Sequence, residues 1–468
     1  MRGHIRKKVS RRIFSAAAMT VAAAGAIALA ACNPTESVQV LDPDIINPAD
    51  AQSAAGANAV RLGAIGRLNS ATSGGSTSSE GLFLLSGLLA DEWNNGDSFI
   101  ARWEVDQRAI TTQNTFLTDT DRMLARARLS ATQAVGLLQQ FNPLGPAADV
   151  AEMYFVQGYV ENAVGENWCN GLILSTVVDG VEQYGSPMTT AAAFQLALAH
   201  VDSGLALITG NTAQDVKIRS ALAVLKGRIL LNLNQPAQAA TAVAGVLTSA
   251  KYQNFHSQTT NDNAVWTYNN TARRYSVSTG EGTNGLDFAT ANDPRIPTCQ
   301  GGDAVCKTIN VTLTQRDDKS AFPIWVQRVW PVRDNPVTLA SGVEARLIEA
   351  EAAFRAGNPA LMIQKLNQAR SEGGVTGLLP NLTDPGTDVA RVNLIFRERA
   401  FWMFSTGHRL GDMRRLVKFY NRPAESVFPT GAWHKGGNYG PDMNFPVPQA
   451  EENNPNLPKG QNCIDRAA

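Results

Sequence analysis

Apolar residues recur at helical spacing in two stretches of this 468-residue chain. In the first stretch the intervals are four, three, four and four residues, which fits one face of a helix. The residues on this face are Ile218, Leu222, Leu225, Ile229 and Leu233. A break at 234–236 ends in proline, and a second helix rich in Ala and Val is predicted to about residue 247.

The second stretch repeats this arrangement. Its apolar face comprises Val343, Leu347, Ala350 and Phe354, followed by a Gly-Asn-Pro turn at 357–359 and a further helix. When Pro236 is aligned with Pro359, Gly227 lies opposite Ala350, and both residues are small. A small residue on the first helix, a turn ending in Pro and a pair of this length are typical of tetratricopeptide units. The two prolines are 123 residues apart (359 − 236), so a continuous solenoid is not predicted.

The rest of the chain divides into further helices and irregular segments. Helical patterns cover 116–141, 149–166 and 190–208, and a Ser/Gly-rich surface loop is predicted at 70–79. The segment 252–337 is rich in Asn, Thr, Gly, Asp and Pro, which predicts a loop-rich insertion with a few short strands. A mostly α-helical protein with one lobe over 52–468 is therefore expected.

The N-terminus has the pattern of a lipoprotein export signal. Residues 1–12 are strongly basic, 13–31 are uncharged and rich in Ala, and the stretch ends in Leu-Ala-Ala before Cys32. This order predicts a signal peptide over 1–31 and lipidation of Cys32, with a proline-containing tether at 32–51. The alternative is a transmembrane anchor, which the many small residues and the Cys at the cleavage point disfavour.

Removal of the leader changes the charge of the protein. The whole chain has 41 Lys+Arg and 41 Asp+Glu, but the leader contains six of the basic residues and no acidic one. The mature chain then has 35 basic residues (41 − 6) against 41 acidic ones, a net charge of about −6. An acidic surface predicts no nucleic-acid partner, and attachment to a membrane is expected through lipid and not through charge.

Four cysteines remain beyond Cys32, an even number in an oxidising compartment. Cys299 and Cys306 flank a short Gly-containing loop that one disulfide could close, which leaves Cys169 to pair with Cys463. Four cysteines allow three connectivities. Zinc is the rival interpretation, but no pair has the Cys-x₂₋₄-Cys spacing, and the five histidines show no metal-ligand spacing. No metal and no cofactor are predicted.

Six sequence blocks, in order, resemble the SusD/RagB family of outer-membrane nutrient-binding lipoproteins. They lie at 221–231, 293–295, 344–352, 366–370, 397–415 and 445–457. The fifth block contains Arg397-Glu-Arg399 and Gly407-His-Arg-Leu-Gly-Asp412-Met-Arg-Arg415, similar to the family's "ER..EL..EGHR..DLRR". The chain departs from this pattern at Ser405-Thr406, where the family has Glu.

The resemblance implies a mostly α-helical SusD-like lobe with tetratricopeptide-like helix pairs. It also implies attachment to the outer membrane, with the lobe expected at the cell surface, and a TonB-dependent, SusC-like transporter as partner. The implied ligand is an oligosaccharide, or in some cases a peptide. No catalysis is implied.

A sugar site needs aromatic faces with amide and carboxylate groups beside them, because sugars present flat C–H faces and hydroxyl rims. The polar loops supply candidates for such a site, namely Trp93, Asn95, Trp266, Tyr268 and Tyr275. Trp103, Trp325 and Trp330 are assigned to packing, because aromatic side chains dominate cores energetically.

Other motifs suggest catalysis but are interpreted as structural. His408, Arg409, Asp412, Arg414 and Arg415 resemble an active site, but in a helix-turn setting paired Arg and Asp more often staple helices together. Residues 280–285 match G-x-G-x-x-G, but no amphipathic helix follows them, so a dinucleotide site is not predicted. No catalytic residue is assigned. A secreted, lipid-anchored hydrolase on a helical scaffold and a tetratricopeptide-like assembly scaffold without a small ligand remain as alternatives.

Overall fold

The computed structural model describes residues 51–75, 80–178, 181–309, 323–375 and 377–468. Most of these residues are helical. In chain order the helices are α1 (Ala54–Thr72), α2 (Gly81–Leu89), α3 (Ile100–Asp106), α4 (Thr115–Phe141), α5 (Ala147–Asn167), α6 (Thr190–Leu207), α7 (Ala213–Asn232), α8 (Pro236–Val243), α9 (Ala264–Trp266), α10 (Ala304–Ile309), α11 (Gly342–Arg355), α12 (Pro359–Glu372), α13 (Asp388–Trp402), α14 (Arg409–Tyr420) and α15 (Ala424–Val427). The mostly α-helical fold class is therefore confirmed.

The helices predicted from periodicity are present with similar bounds. Those expected at 116–141, 149–166 and 190–208 are α4, α5 and α6. Of the loop expected at 70–79, residues 70–72 still belong to α1, where the Thr72 hydroxyl donates to the carbonyl of Leu68 at 2.7 Å, and residues 76–79 lie outside the described residues. The leader, Cys32 and nearly all of the tether lie outside the described residues. No helix in the described ranges is long and apolar enough to cross a membrane.

The two tetratricopeptide-like pairs are neighbours in space. The first pair is α7 with α8, the second is α11 with α12, and α11 packs against both helices of the first pair. Gly227 permits this approach, because a Cβ atom there would lie 2.6 Å from Val243 Cγ1 and 3.1 Å from Ile348 Cδ1. Pairs separated in the sequence thus form adjacent layers of one helical stack.

Short antiparallel sheets, each of two strands, lie mainly in and around the loop-rich insertion. The strands are β1 (Trp93–Asn95), β2 (Thr176–Val178), β3 (Val181–Gln183), β4 (Lys251–Asn254), β5 (Tyr275–Val277), β6 (Thr298–Gln300), β7 (Trp325–Gln327) and β8 (Val337–Ser341). They pair as β1–β5, β2–β3, β4–β8 and β6–β7. Pairing of β4 with β8 joins the two ends of the insertion, directly before α11. The insertion therefore leaves the helical stack and returns to it at one place.

Buried ion pairs connect the helices that contain the family-like blocks. Asp412 accepts from Arg399 at 2.8 Å and from Arg415 at 2.6 Å, and these three side chains are buried. Glu344 accepts from Arg228 at 2.7 Å, which links α11 to α7. Burial alone would raise the pKa values of both carboxyl groups. Arg399 and Arg415 instead hold the pKa of Asp412 below its ordinary range, and Arg228 does the same for Glu344. The charged residues of the family-like blocks thus connect α7 with α11 and α13 with α14 through buried ion pairs.

Both expected cysteine pairs lie at disulfide distance. Cys169 is bonded to Cys463 and Cys299 to Cys306, with Cα–Cα distances of 6.0 and 5.6 Å. The first bridge fastens the C-terminal segment to the end of α5, and the second closes a short loop in the insertion.

Candidate functional site

A cleft of about 400 Å³ opens where β5, β7 and the loop at 431–439 meet. Polar and aromatic side chains predominate on its walls, namely Asn94, Ser276, Glu281, Trp325, His434 and Tyr439. Trp325 and Tyr439 are each partly exposed. The cleft therefore combines two partly exposed aromatic residues with an amide and an imidazole group, while the Ser276 hydroxyl and the Glu281 carboxyl are buried behind its wall.

Strand pairing and close backbone contacts assemble these walls. Asn94 of β1 lies opposite Ser276 of β5, and the Ser276 hydroxyl accepts from the Trp325 backbone N–H at 2.9 Å. The loop at 280–285 approaches the loop at 431–439 through Gly282, whose φ is +57° and where a Cβ atom would lie 2.2 Å from the carbonyl oxygen of Thr430. The G-x-G-x-x-G segment is thus a tight turn that forms one edge of the cleft.

Trp93 does not present a face to this cleft. Its side chain is fully buried, its Nε1–H donates to Ser405 Oγ at 3.0 Å, and its ring packs 5.2 Å from that of Phe404. Residues on a strand alternate between two faces, so Trp93 and Asn95 face the core while Asn94 between them lines the cleft. The interpretation of Trp93 as a ligand platform does not fit this structure.

Asn95 and Tyr275 are also enclosed. Asn95 Oδ1 accepts from the backbone N–H of Asp97 at 2.9 Å, and its own backbone N–H donates to Asp106 Oδ2 at 3.1 Å. The Tyr275 hydroxyl donates to the buried carboxylate of Glu80. Burial raises the pKa of Tyr275 well above its usual value. Both side chains support the cleft from beneath and do not line it.

Trp266 and Tyr268 lie away from the cleft. Trp266 is half-buried and donates its Nε1–H to the carbonyl oxygen of Pro331 at 3.0 Å. Tyr268 is buried, and its ring lies 6.3 Å from that of Tyr275. The structure therefore brings Trp93, Tyr275 and Tyr268 together as an internal aromatic layer, and it leaves Trp266 on another part of the surface.

Sequence reasoning missed most of the residues that line the cleft. Trp325 packs against the core as expected, but it is also partly exposed on the cleft wall, whereas Trp330 is buried as expected. The alternation of β1 was the available signal for Asn94. No local sequence pattern connects His434, Glu281 and Tyr439, because tertiary folding alone places them together.

Burial dominates the electrostatics behind the cleft. The pKa of Glu281 lies well above its ordinary value because the carboxyl group is removed from water and because the Asp106 carboxylate repels its charge. Burial also raises the pKa of Asp106, and His434 opposes this shift. Asn94 Nδ2 donates to Glu281 Oε1 at 2.5 Å. Removal of the Glu281 and Asp106 carboxyl groups from water therefore disfavours their charged forms.

The similarity of this chain to known proteins lies in its fold. No protein-family model matches the sequence, and no curated protein sequence matches it. The structure, however, has the SusD/RagB fold. The resemblance found in the sequence blocks is therefore confirmed at the level of the fold.

Solved structures of SusD-like proteins overlap nearly their whole length with this chain. A SusD-like carbohydrate binding protein from Bacteroides fragilis has a TM-score of 0.64 at 12% identity, covering 87% of this chain and 99% of its own. A SusD superfamily protein from Parabacteroides distasonis has a TM-score of 0.62 at 14% identity, with 86% and 98% covered. A third, from Bacteroides vulgatus, has a TM-score of 0.58 at 14% identity, with 86% and 96% covered.

Proposed function

We propose that this protein binds an oligosaccharide in the cleft lined by Trp325, Tyr439 and Asn94. The observation that carries the proposal is that the partly exposed Trp325 and Tyr439 lie in one cleft with the amide of Asn94 and the imidazole of His434. An aromatic face packs against the C–H face of a sugar, and the polar groups fix its hydroxyls. The description of a structural neighbour as a carbohydrate binding protein supports the same ligand class.

The proposed role is binding without cleavage. Glycosidases use two carboxyl groups, about 5–5.5 Å apart or about 6.5–9.5 Å apart on either side of the bond. Of the described residues that line the cleft, Glu281 supplies a carboxyl group, and no second acid joins it there. Asp106 is fully buried behind Glu281 and hydrogen-bonded to Trp433 and Asn95. This arrangement favours binding over hydrolysis.

The hydrolase alternative has one observation in its favour. Glu281 combines a raised pKa with a position on the wall of a sugar-sized cleft, as a general acid would. Release of reducing ends from a bound glycan, abolished by Glu281→Gln, would establish that alternative and overturn the binding-only role.

We further propose that lipid on Cys32 anchors the protein to the outer membrane, exposed at the cell surface. There it would deliver its ligand to a SusC-like, TonB-dependent transporter. The sequence of the leader and the family resemblance support this placement. Cys32→Ala should release the protein from membranes, and the wild-type protein should copurify with a barrel protein encoded nearby.

A glycan array probed with the purified protein tests the central proposal. We expect retention on one class of neutral glycan and no release of reducing ends. Lack of retention on any glycan or peptide, together with copurification of a barrel protein, would instead favour the assembly-scaffold alternative.

A further inference from the structure

Three side chains of metal-ligand type converge behind the cleft. Asp106 at the end of α3, Glu281 in the turn at 280–285 and His434 place one potential ligand atom each within 4.8 Å of the others. His434 Nε2 lies 3.5 Å from Asp106 Oδ2 and 3.2 Å from the carbonyl oxygen of Asn95. Elements distant in the sequence thus present two carboxylates, an imidazole nitrogen and a carbonyl oxygen to one small volume.

The hydrogen bonds around these carboxylates leave one oxygen of each without a donor. Asp106 Oδ2 accepts from the Trp433 indole at 3.0 Å and from the Asn95 backbone at 3.1 Å. Glu281 Oε1 accepts from Asn94, and the Tyr439 hydroxyl also forms a hydrogen bond with the Glu281 carboxyl group. Asp106 Oδ1 and Glu281 Oε2 are buried and have no hydrogen-bond partner. Buried polar atoms in folded proteins almost always have partners. We therefore expect a bound ion or proton to interact with these two oxygens.

Arg108 lies near enough to Glu281 to interact with its charge, but it forms no ion pair with it among the described residues. Within the described ranges, neither Asp106 nor Glu281 forms an ion pair with a lysine or an arginine, and His434 is the basic side chain nearest to Asp106. Asp412 and Glu344, which are buried to a similar extent, each have arginine partners. Two adjacent buried carboxylates without a cation are costly, because transfer from water penalises each charge.

We propose that Asp106, Glu281 and His434 bind a divalent cation of the first transition series. Imidazole suits Zn²⁺ and its neighbours Fe²⁺, Ni²⁺ and Cu²⁺, whereas Ca²⁺ takes oxygen ligands. Ligand distances of about 2.0–2.2 Å would follow from rotations of side chains that already lie close together. Glu281 and His434 also line the cleft, so an ion can reach them from solvent. The site is independent of whether the cleft binds sugar.

A proton shared between the two carboxyl groups could take the place of the metal ion, because it would give Asp106 Oδ1 and Glu281 Oε2 a hydrogen bond with each other. Asp106→Asn separates the two possibilities. The Asn side chain can keep its oxygen toward Trp433 and Asn95 and direct its amide NH₂ toward Glu281, which preserves the fold but removes a ligand. Glu281→Gln acts in the same way from the other side.

The test is a titration of the purified, metal-free protein with Zn²⁺ by calorimetry, with Ca²⁺ as a parallel probe. We expect one saturable Zn²⁺ site, weakened roughly tenfold or more in Asp106→Asn and in Glu281→Gln. Zn²⁺ should also raise the melting temperature of the wild type and leave that of both variants unchanged. Ca²⁺ should bind more weakly than Zn²⁺.

His200→Gln is the matched control. His200 also lies beside a buried carboxylate, at 2.7 Å from Glu161, but Arg128 already occupies the other oxygen of Glu161 at 2.6 Å. The control should bind Zn²⁺ like the wild type. Absence of a saturable site, equal affinity in the wild type and both carboxamide variants, or equal loss in His200→Gln would each overturn the proposal. So would Ca²⁺ binding as tight as that of Zn²⁺.

Discussion

Glu92 is a buried carboxyl group between α2 and β1, and its protonation should make the stability of the fold depend on pH. Its Oε1 accepts from the Ser405 backbone N–H at 2.8 Å. Burial raises its pKa from 4.5 to about 8, with Asp91 and Asp412 adding to this shift while the Ser405 N–H and Arg409 oppose it. The folded protein therefore binds this proton more tightly than the unfolded chain.

The stability that protonated Glu92 contributes is complete below about pH 4.5 and is lost as the pH rises through about 8. A single group changes the free energy of unfolding by at most about 1.4 kcal/mol per pH unit. We expect Glu92→Gln to flatten the fall in stability over this window, measured by urea unfolding at a series of pH values. Glu425→Gln, at an exposed position, is the control. Parallel pH profiles for Glu92→Gln and the wild type would contradict this assignment.

At the residue scale, most of the side chains that the sequence offered for a binding site are buried in the structure. The polar neighbours of Trp93 suggested exposure, but Gly87 leaves space for its indole to pack inside, with Nε1 on Ser405. Period-two alternation then assigns Asn94 to the cleft. Whether a given face of a three-residue strand is buried depends on what packs against it, which the local sequence does not contain.

At the scale of elements, the contact between the two helix pairs depends on the absence of a side chain at Gly227. Gly227→Leu should destabilise the protein by about 1–3 kcal/mol, because the added atoms would overlap with Val243 and Ile348. Gly136→Leu is the matched control, since no atom lies within 4 Å of a Cβ placed there on α4. Leu has the higher helix propensity, so this control should be neutral or stabilising. Denaturant midpoints of the two variants measure the difference, and equal losses would refute the packing argument.

Helices were predictable from the sequence because their apolar period is local. The predicted stripe is buried along α7 from Ile218 to Ile229, whereas its last member, Leu233, is half-buried and lies just after the helix ends. The Thr212–Asp215 capping box fixes where that helix begins. The packing of one pair against the other was not predicted, because the small residues Gly227 and Ala350 indicated only that each pair resembles a tetratricopeptide unit. The pairing of β4 with β8 brings α11 back beside α7 after the insertion. No periodicity in the sequence indicates this strand pairing.

At the scale of the whole molecule, the bridge between Cys169 and Cys463 ties together positions 294 residues apart. In the chain-entropy account a disulfide stabilises more when it closes a longer loop, so replacing both cysteines by Ala should cost about 2–5 kcal/mol. The Cys299–Cys306 bridge spans 7 residues and should contribute less. Thermal unfolding of the two double variants tests this order. A larger loss from removing the short bridge would contradict it, and four free thiols in the native protein would exclude both bridges.

The cleft itself is a property of the whole fold. Asn94, Trp325 and Tyr439 come from β1, β7 and the loop at 431–439, which meet only after the insertion has folded onto the helices. A resemblance in sequence blocks could therefore predict the fold, because those blocks hold the buried ion pairs. It could not predict the site, because the site lies outside them.

The most direct test of the account is the affinity of Trp325→Ala for a glycan that the wild-type protein retains, measured by calorimetry. We expect binding weakened roughly tenfold or more, since loss of a stacked aromatic face removes about 1–3 kcal/mol. Trp266→Ala, which removes a half-buried tryptophan away from the cleft, should bind like the wild type. Unchanged affinity in Trp325→Ala, together with loss of binding in Trp266→Ala, would show that the ligand binds elsewhere and would contradict the account.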